Sequence, residues 1–198
     1  MMPVCAVGDK ILQWLVDIDE EICRRVAAAG CAWCGGPLHR SDYPRKPRGG
    51  LFAVAGEVFH RRLSLCCGWA GCRRRATPPS VRFLGRRVYL GVAVILASAV
   101  AGGLAKVGAV KRATGIPART VARWRKWWRT GFPESRLYQE QRGRFWPPLV
   151  IAELPTSLVD RFGGAGGDLV EAVVKTLGFV APLSTASVLD GARFVRIQ

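Results

Sequence analysis

Two short cysteine segments constrain the fold of this chain more than any other feature of its sequence. The first, CAWCGG, carries Cys31 and Cys34 with two residues between them, and the second, CCGWAGC, carries Cys67 and Cys72 with four between them. A structural zinc site takes four ligands in a tetrahedron, and tight turns present thiolates whose sulfurs accept backbone N–H groups. The 32 residues between Cys34 and Cys67 suffice for a hairpin. The sequence therefore predicts a zinc ribbon in which these four cysteines bind a structural Zn²⁺.

The spacing leaves a choice of ligands. Cys66 competes with Cys67, and both strand alternation and the tighter C-x4-C spacing to Cys72 favour Cys67. His39 and His60 are possible substitutes, although a loop or strand histidine with ordinary hydrogen bonds is the more common case. The alternative to a metal site is a set of four unrelated buried thiols, which is unusual for two close pairs around a hairpin-length insert.

The cysteine count and the N-terminus indicate a reducing compartment. The chain has seven cysteines, an odd number, and its first residues, MMPVCAVGDKILQW, lack a basic segment followed by an apolar one with a cleavage site. In the cytoplasm, clustered cysteines are more often metal ligands than disulfides. We therefore expect a cytoplasmic protein.

The positive charge of the chain is concentrated in its middle. The formal net charge is +16, yet residues 1–30 carry −2 and residues 133–198 carry 0. Residues 31–132 hold 20 basic and 2 acidic side chains, a net charge of +18. An excess of this size is typical of proteins that bind a polyanion, either nucleic acid or an acidic membrane surface. The hydrophobic content of 49% excludes a wholly disordered chain.

The segment VGAVKRATGIPARTVARWRKWW, residues 107–128, has the pattern of a helix-turn-helix. This motif needs an apolar first helix, a turn residue that tolerates positive φ, and a second helix with one apolar and one polar face. Gly115 stands at the turn, and Pro117 suits the first turn of the second helix. Lys111 occupies a position that usually holds a small residue. The expected buried positions around the turn are Val110, Ile116, Val121 and Trp124.

The second helix is expected to present a basic face to the major groove of DNA. Its apolar stripe at helical spacing, expected in the core, consists of Pro117, Val121, Trp124 and Trp128. Its basic stripe, in which guanidinium groups would contact guanine edges or phosphates, consists of Arg119, Arg123 and Lys126, with Ala118 at the start of the helix. The alternative is an amphipathic helix with a solvated basic face.

Further basic side chains are candidates for contacts to the DNA backbone. Singly, each is typical of a solvated charge, but together they would neutralise several phosphates, and binding would then weaken as salt increases. These candidates are Arg45, Lys46, Arg48, Arg73, Arg74, Arg75, Arg86 and Arg87, and we expect Arg61 and Arg62 on the same surface.

Hydrophobic periodicity predicts the elements around the cysteines. Residues 8–28 read as an amphipathic helix that Gly30 ends, with Asp17, Asp19, Glu20 and Glu21 around its apolar positions. Two strand-like runs, residues 51–54 and 57–65, follow the first cysteine pair.

An uncharged run of 18 residues, 88–105, precedes the helix-turn-helix pattern. Its length reaches the lower limit for a membrane span, but basic residues flank it on both sides, so nothing orients it in a bilayer. We expect a buried core helix, with a membrane span as the alternative.

The neutral C-terminal third predicts two short helices, near residues 155–162 and 168–177, joined by a glycine-rich hinge at 163–167. The predicted fold class is α+β. Its four regions are an N-terminal amphipathic helix (1–30), a small β-rich zinc ribbon (31–83), a three-helix helix-turn-helix domain (84–132), and a helical C-terminal region for a partner or for self-association (133–198).

The order of these motifs resembles that of known proteins. A zinc ribbon followed directly by a helix-turn-helix resembles the DNA-binding front ends of bacterial insertion-sequence proteins. The phrases YPRKPRGG, GCRRRATPPSVRFLGRRVY and RTVARWRKWW resemble small bacterial proteins associated with mobile elements. The resemblance covers roughly residues 25–132, and it implies zinc ligation by the four cysteines and DNA contacts by Arg119 and Arg123. Transposases of that kind continue into a catalytic domain with three carboxylates, for which the 66 residues after Phe132 are too few.

These features predict a double-stranded-DNA-binding accessory or regulatory protein, not an enzyme, that acts at the bacterial nucleoid in transposition or recombination. A recombinase or transposase partner would bind the C-terminal third. One alternative is a small nuclease or recombinase. A zinc nuclease needs an open coordination position with an adjacent Glu, and Glu57 and His60 are the only nearby pair of that sort, at a spacing that matches no known motif. The other alternative is a membrane-anchored regulator.

Overall fold

A computed structural model describes residues 9–45, 57–84, 89–100, 115–164 and 167–185. The α-helices of this part are α1 (Asp9–Ala29), α2 (Glu57–His60), α3 (Gly91–Val100), α4 (Ala118–Arg129), α5 (Arg136–Gln141), α6 (Thr156–Gly163) and α7 (Leu169–Val180). The strands are β1 (Leu38–Arg40), β2 (Tyr43–Pro44), β3 (Arg61–Arg62), β4 (Leu65–Cys67) and β5 (Arg75–Ala76), and short 3₁₀ turns lie at Arg142–Arg144, Ile151–Glu153 and Ala181–Ser184. The described content is therefore α+β, as predicted.

Helix α1 has the predicted amphipathic form. Leu12, Leu15 and Val16 on its inner side are buried, and Gly30 ends the helix with φ +73°, a conformation that glycine adopts without strain. One of the acids around the apolar positions lies in the interior. Asp19 is 1% exposed, because the helix packs it against the chain that follows β5.

Two small antiparallel sheets follow α1. Strand β4 lies between β1 and β5, with Leu38 opposite Cys67 and Cys66 opposite Arg75. Strands β2 and β3 form the second sheet, with Tyr43 opposite Arg62. The run at 57–65, predicted as one strand, instead begins with the helical turn α2 and continues into β3. The predicted strand at 51–54 lies outside the described residues.

Helix α3 is buried on nearly all sides. Val92, Ala93, Val94 and Ile95 are each at most 1% exposed, and α3 packs against both α4 and α7. A core helix whose neighbours are also protein is apolar all round. No helix in the described part of the chain is long and apolar enough to cross a membrane. The rest of the apolar run and the predicted first helix of the motif, residues 101–114, lie outside the described residues.

The C-terminal third packs onto α4 through aromatic rings. The ring of Phe132 lies 5.0 Å from that of Trp128 and 6.5 Å from that of Phe179 on α7. Helices α6 and α7 form near the predicted positions, whereas α5 was not predicted. One cluster of buried residues extends from Leu12 on α1 to Ala181 after α7. The core is therefore continuous across positions 30, 83 and 132, where the sequence predicts boundaries between regions.

Candidate metal centre

The first cysteine pair lies in a tight turn between α1 and β1. The N–H of Cys31 donates to the carbonyl of Gly36 at 2.9 Å, and the N–H of Gly35 donates to the carbonyl of Cys31 at 2.7 Å. Gly35 has φ +70°, which explains why a glycine follows Cys34. These bonds fold residues 31–36 back on themselves. As a result, both cysteine side chains point to the same side, towards β4.

The second cysteine pair lies in the turn between β4 and β5. The N–H of Cys67 donates to the carbonyl of Arg74 at 2.9 Å, and the N–H groups of Cys72 and Arg73 both donate to the carbonyl of Trp69 at 3.0 Å. The pairing of β1 with β4 brings this turn beside the first, because the N–H of Gly68 donates to the carbonyl of Pro37 at 2.8 Å. The sheet register therefore positions the two turns to face each other.

The sulfurs of Cys31, Cys34, Cys67 and Cys72 all lie within 4.8 Å of one another. The sulfurs of Cys31 and Cys72 are 3.8 Å apart, and those of Cys34 and Cys67 are 3.5 Å apart. Four thiolates around one zinc ion, with Zn–S bonds of about 2.3 Å, place the sulfurs about 3.8 Å apart. The cluster therefore fits a tetrahedral metal site, and none of the described cysteines forms a disulfide.

The electrostatics of the cluster also fit a cation. The backbone N–H groups of Trp33 and Cys34 bind the sulfur of Cys31 and lower the pKa of this thiol to about 7. At Cys34, the N–H of Gly36 favours the thiolate, but desolvation and the thiol of Cys67 outweigh it and raise the pKa to about 12. A second thiolate beside the first is disfavoured by charge repulsion, which a divalent cation removes.

The choice between the adjacent cysteines is decided by the register of β4. Cys67 is fully buried and lies in the cluster, whereas Cys66 is half-buried, pairs with His39 across the sheet, and donates to the carbonyl of Arg73 at 3.4 Å. Neither His39 nor His60 belongs to the cluster. Sequence spacing had favoured Cys67, and the geometry agrees.

Sequence reasoning missed a buried ion pair between α1 and the chain after β5. Asp19 accepts hydrogen bonds from the Ser80 hydroxyl at 2.6 Å, from the Val81 N–H at 2.7 Å and from the Arg82 Nε at 2.7 Å. Asp19 and Arg82 are each 1% exposed. The pair ties α1 to the segment that leads into α3. No signal in the sequence indicates it, because Asp19 lies among other acids on a helix.

A second buried arginine corrects the expected basic surface. Arg62 is 1% exposed, and its guanidinium donates to the carbonyl of Pro78 at 2.6 Å. Burial lowers the pKa of Arg62. Arg62 therefore belongs to the framework that joins β3 to the chain after β5, and it is not available to bind DNA. Its neighbour Arg61 is exposed.

Helix α4 places the predicted basic stripe on its outer side. Arg119, Arg123 and Lys126 are exposed, as is Ala118. Val121, Trp124 and Trp128 are each at most 2% exposed, so these three form the predicted inner stripe. Ile116 is also buried, and Gly115 has φ +64°, as expected for the turn.

Pro117 departs from the prediction. It is exposed and directly precedes α4, where its carbonyl accepts hydrogen bonds from the N–H groups of Thr120 and Val121. It therefore lies at the start of the helix and not in the core. Lys111 and Val110 lie outside the described residues.

The other candidate DNA contacts lie in different settings. Arg73 and Arg74 are exposed beside Cys72, and Arg75 donates to the carbonyl of Ser41 at 3.3 Å and to the Ser64 hydroxyl at 3.2 Å. The guanidinium of Arg45 lies 5.3 Å from the centre of the Phe83 ring. The remaining candidates, Lys46, Arg48, Arg86 and Arg87, lie outside the described residues.

Comparison with known protein families, with curated proteins and with solved structures finds no match to this chain.

Proposed function

We propose that this chain is a zinc-stabilised protein that binds double-stranded DNA through α4 and catalyses no reaction. The observation that carries the proposal is the basic outer side of α4. Arg119, Arg123 and Lys126 are exposed at helical spacing, and α4 carries five basic residues and no acidic one. The positive charge of such a helix is complementary to the negative charge of DNA, and its guanidinium groups can contact guanine edges in the major groove.

The burial pattern around α4 supports this use of its outer side. The inner side packs on α3, and the ring of Trp124 lies 5.0 Å from that of Tyr89, just before α3. The ring of Trp128 lies 5.0 Å from that of Phe132, just after α4. The helix is therefore held rigidly while its basic residues stay in solvent. Rigid support of the contacting helix limits the conformational entropy that is lost on binding.

Zinc is the metal that we propose for the four-cysteine cluster. Four thiolates in a tetrahedron are typical of structural zinc, and no coordination position remains open for a reacting water. Bound zinc would hold the two turns together and so fix β1, β4 and β5. The separate cluster of buried residues beside these strands is small, consisting of Cys23, Leu63 and Leu65, so such a constraint would add stability there.

The biological setting follows from the resemblance and stays a proposal. Such a protein would act at the bacterial nucleoid as an accessory or regulatory part of a mobile element. A recombinase or transposase would bind its C-terminal third. The inner sides of α6 and α7 contribute to the core, so a partner would contact exposed residues of this third, among them Trp146, which is 87% exposed.

Selection of genomic fragments on the purified zinc-loaded protein, at about 0.15 M salt, tests the proposal. We expect one defined motif, and an affinity roughly 5- to 150-fold weaker after Arg119→Ala or Arg123→Ala, the range for a lost bidentate base contact. Arg142→Ala is the matched control, since Arg142 is exposed on a different element. Equal losses for all three variants, or retention without a motif, would refute recognition by α4.

A further inference from the structure

Each cysteine turn carries one exposed tryptophan at the same position. Trp33 and Trp69 are the second residues after Cys31 and Cys67, and each donates its backbone N–H to the sulfur of that cysteine. The main chain of each tryptophan is thus fixed by the turn, while its ring projects outward. Trp33 is 72% exposed and Trp69 is 57% exposed. Single exposed apolar residues are ordinary, but here both turns around one cysteine cluster expose an indole ring.

Each ring is supported on one side only. The guanidinium of Arg74 lies 3.8 Å from the centre of the Trp33 ring, a cation–π contact. The ring of Trp69 lies against the backbone of Gly36, where an added Cβ would come within 3.2 Å of it. These contacts restrict ring motion. Much of the surface of both residues nevertheless stays open to solvent.

The charged side chains in the two turns are basic. Residues 31–37 and 66–74 contain no acidic side chain, and Arg73 and Arg74 are both exposed. The nearby Arg40, by contrast, is paired with Glu20 and Asp42. Zinc bound by four thiolates would itself carry a net charge of −2, so the positive charge here comes from the guanidinium groups alone. The surface of Trp33, Trp69, Arg73 and Arg74, here called the knuckle face, therefore combines aromatic rings with exposed guanidinium groups.

We infer that the knuckle face binds unpaired nucleobases of a single-stranded nucleic acid, stacking them on Trp33 and Trp69 while the arginines contact the phosphates. Aromatic platforms in a positive setting are the common feature of proteins that bind single strands. A base inside a duplex is already stacked on its neighbours, so it offers no free ring to an indole. The proposal does not depend on duplex binding by α4, which lies on a separate element.

Binding of fluorescently labelled oligonucleotides to the full metal-loaded chain tests this inference. A single-stranded DNA, an RNA of the same sequence, and an abasic DNA of the same length are the three probes. We expect Trp33→Ala or Trp69→Ala to weaken binding of the base-containing probes roughly 5- to 150-fold each, the range for one lost stacking contact. Trp33→Phe should retain most of the affinity, and binding of duplex DNA should be unchanged.

Trp146→Ala is the matched control, because Trp146 is 87% exposed but lies far along the chain from both turns. The Co²⁺ absorption spectrum of each variant shows whether the cysteine cluster is intact. If an alanine variant loses the metal, the test uses Trp33→Phe instead. Its affinity for the base-containing strand is compared with that of the wild type, and the wild type's affinities for the base-containing and abasic strands are compared with each other. Equal affinity for abasic and base-containing strands would overturn the inference. Equal losses of affinity in Trp33→Ala and Trp146→Ala would also overturn it. So would self-association of the chain through the knuckle face without binding of either strand.

Discussion

Replacing Asp19 by Asn should destabilise the protein by about 3 kcal/mol. The carboxylate of Asp19 lies in the interior, where it accepts three hydrogen bonds of 2.6–2.7 Å from Ser80, Val81 and Arg82. An amide has the same shape but no charge, and only one of its two heavy atoms accepts hydrogen bonds. The substitution therefore leaves the Arg82 cation buried without its counter-charge.

The magnitude follows from the surroundings of Arg82. Breaking a buried ion pair by removing one partner costs about 3–5 kcal/mol. In this protein the guanidinium of Arg82 keeps three carbonyl acceptors, those of Val58 at 2.8 Å, Arg61 at 3.0 Å and Phe59 at 3.4 Å. These carbonyls offset part of the lost interaction, so we expect the lower end of the range. A loss of this size is a large part of the stability of an ordinary domain.

Equilibrium unfolding in urea, followed by circular dichroism, measures this difference. Asp17→Asn is the matched control, since Asp17 is exposed on the same helix and bonds Gln13 at 2.8 Å. We expect the control to change the free energy of unfolding by less than about 0.5 kcal/mol. If the two variants unfold at the same urea concentration, the interior pair contributes nothing and the reasoning is wrong.

Three further predictions concern other parts of the chain. Cys67→Ser should abolish stoichiometric Co²⁺ or Zn²⁺ binding, whereas Cys66→Ser should retain it. Absorption spectra of the Co²⁺ forms and metal analysis distinguish the two variants. Gly115→Ala should cost about 1 kcal/mol, because Gly115 has φ +64°, whereas Gly178→Ala on the exposed side of α7 should stabilise by about 0.5–1 kcal/mol in the same urea assay. A hydrogen bond from Arg40 lowers the pKa of Glu20 below its ordinary 4.5, so this pair stabilises the fold above pH 4.5 and loses its effect as the pH falls through the lowered value. Both side chains are well exposed, so the free energies of unfolding of Glu20→Gln and wild type should differ by at most about 1 kcal/mol at pH 7, and the difference should disappear as the pH falls through the lowered pKa.

Local sequence patterns were sufficient for the features that depend on neighbouring residues. The period of apolar residues predicted α1, and Gly30 ends it. The spacing of the cysteines predicted which four side chains meet. Each pair lies in one tight turn, and the antiparallel pairing of β1 with β4 brings the two turns together. The turn glycine at 115 and the buried positions of α4 were likewise readable from the order of residues alone.

The tertiary structure decided which charged residues are buried. Asp19 and Arg82 are 63 residues apart, and Ser184 accepts a hydrogen bond from the N–H of Ser80, 104 residues earlier. Nothing near Asp19 in the sequence distinguishes it from the exposed acids of α1. Arg62 similarly reads as a surface strand residue until its partners are known.

The sequence by itself therefore determined helix α1 and the four cysteines that form the cluster, because both depend on the spacing of residues along the chain. Only the tertiary structure decided the roles of the interior charges, of the C-terminal aromatic residues and of the outward-facing tryptophans. Those roles depend on which distant segments pack together, and residue periodicity carries no information about the partner of a side chain across the core.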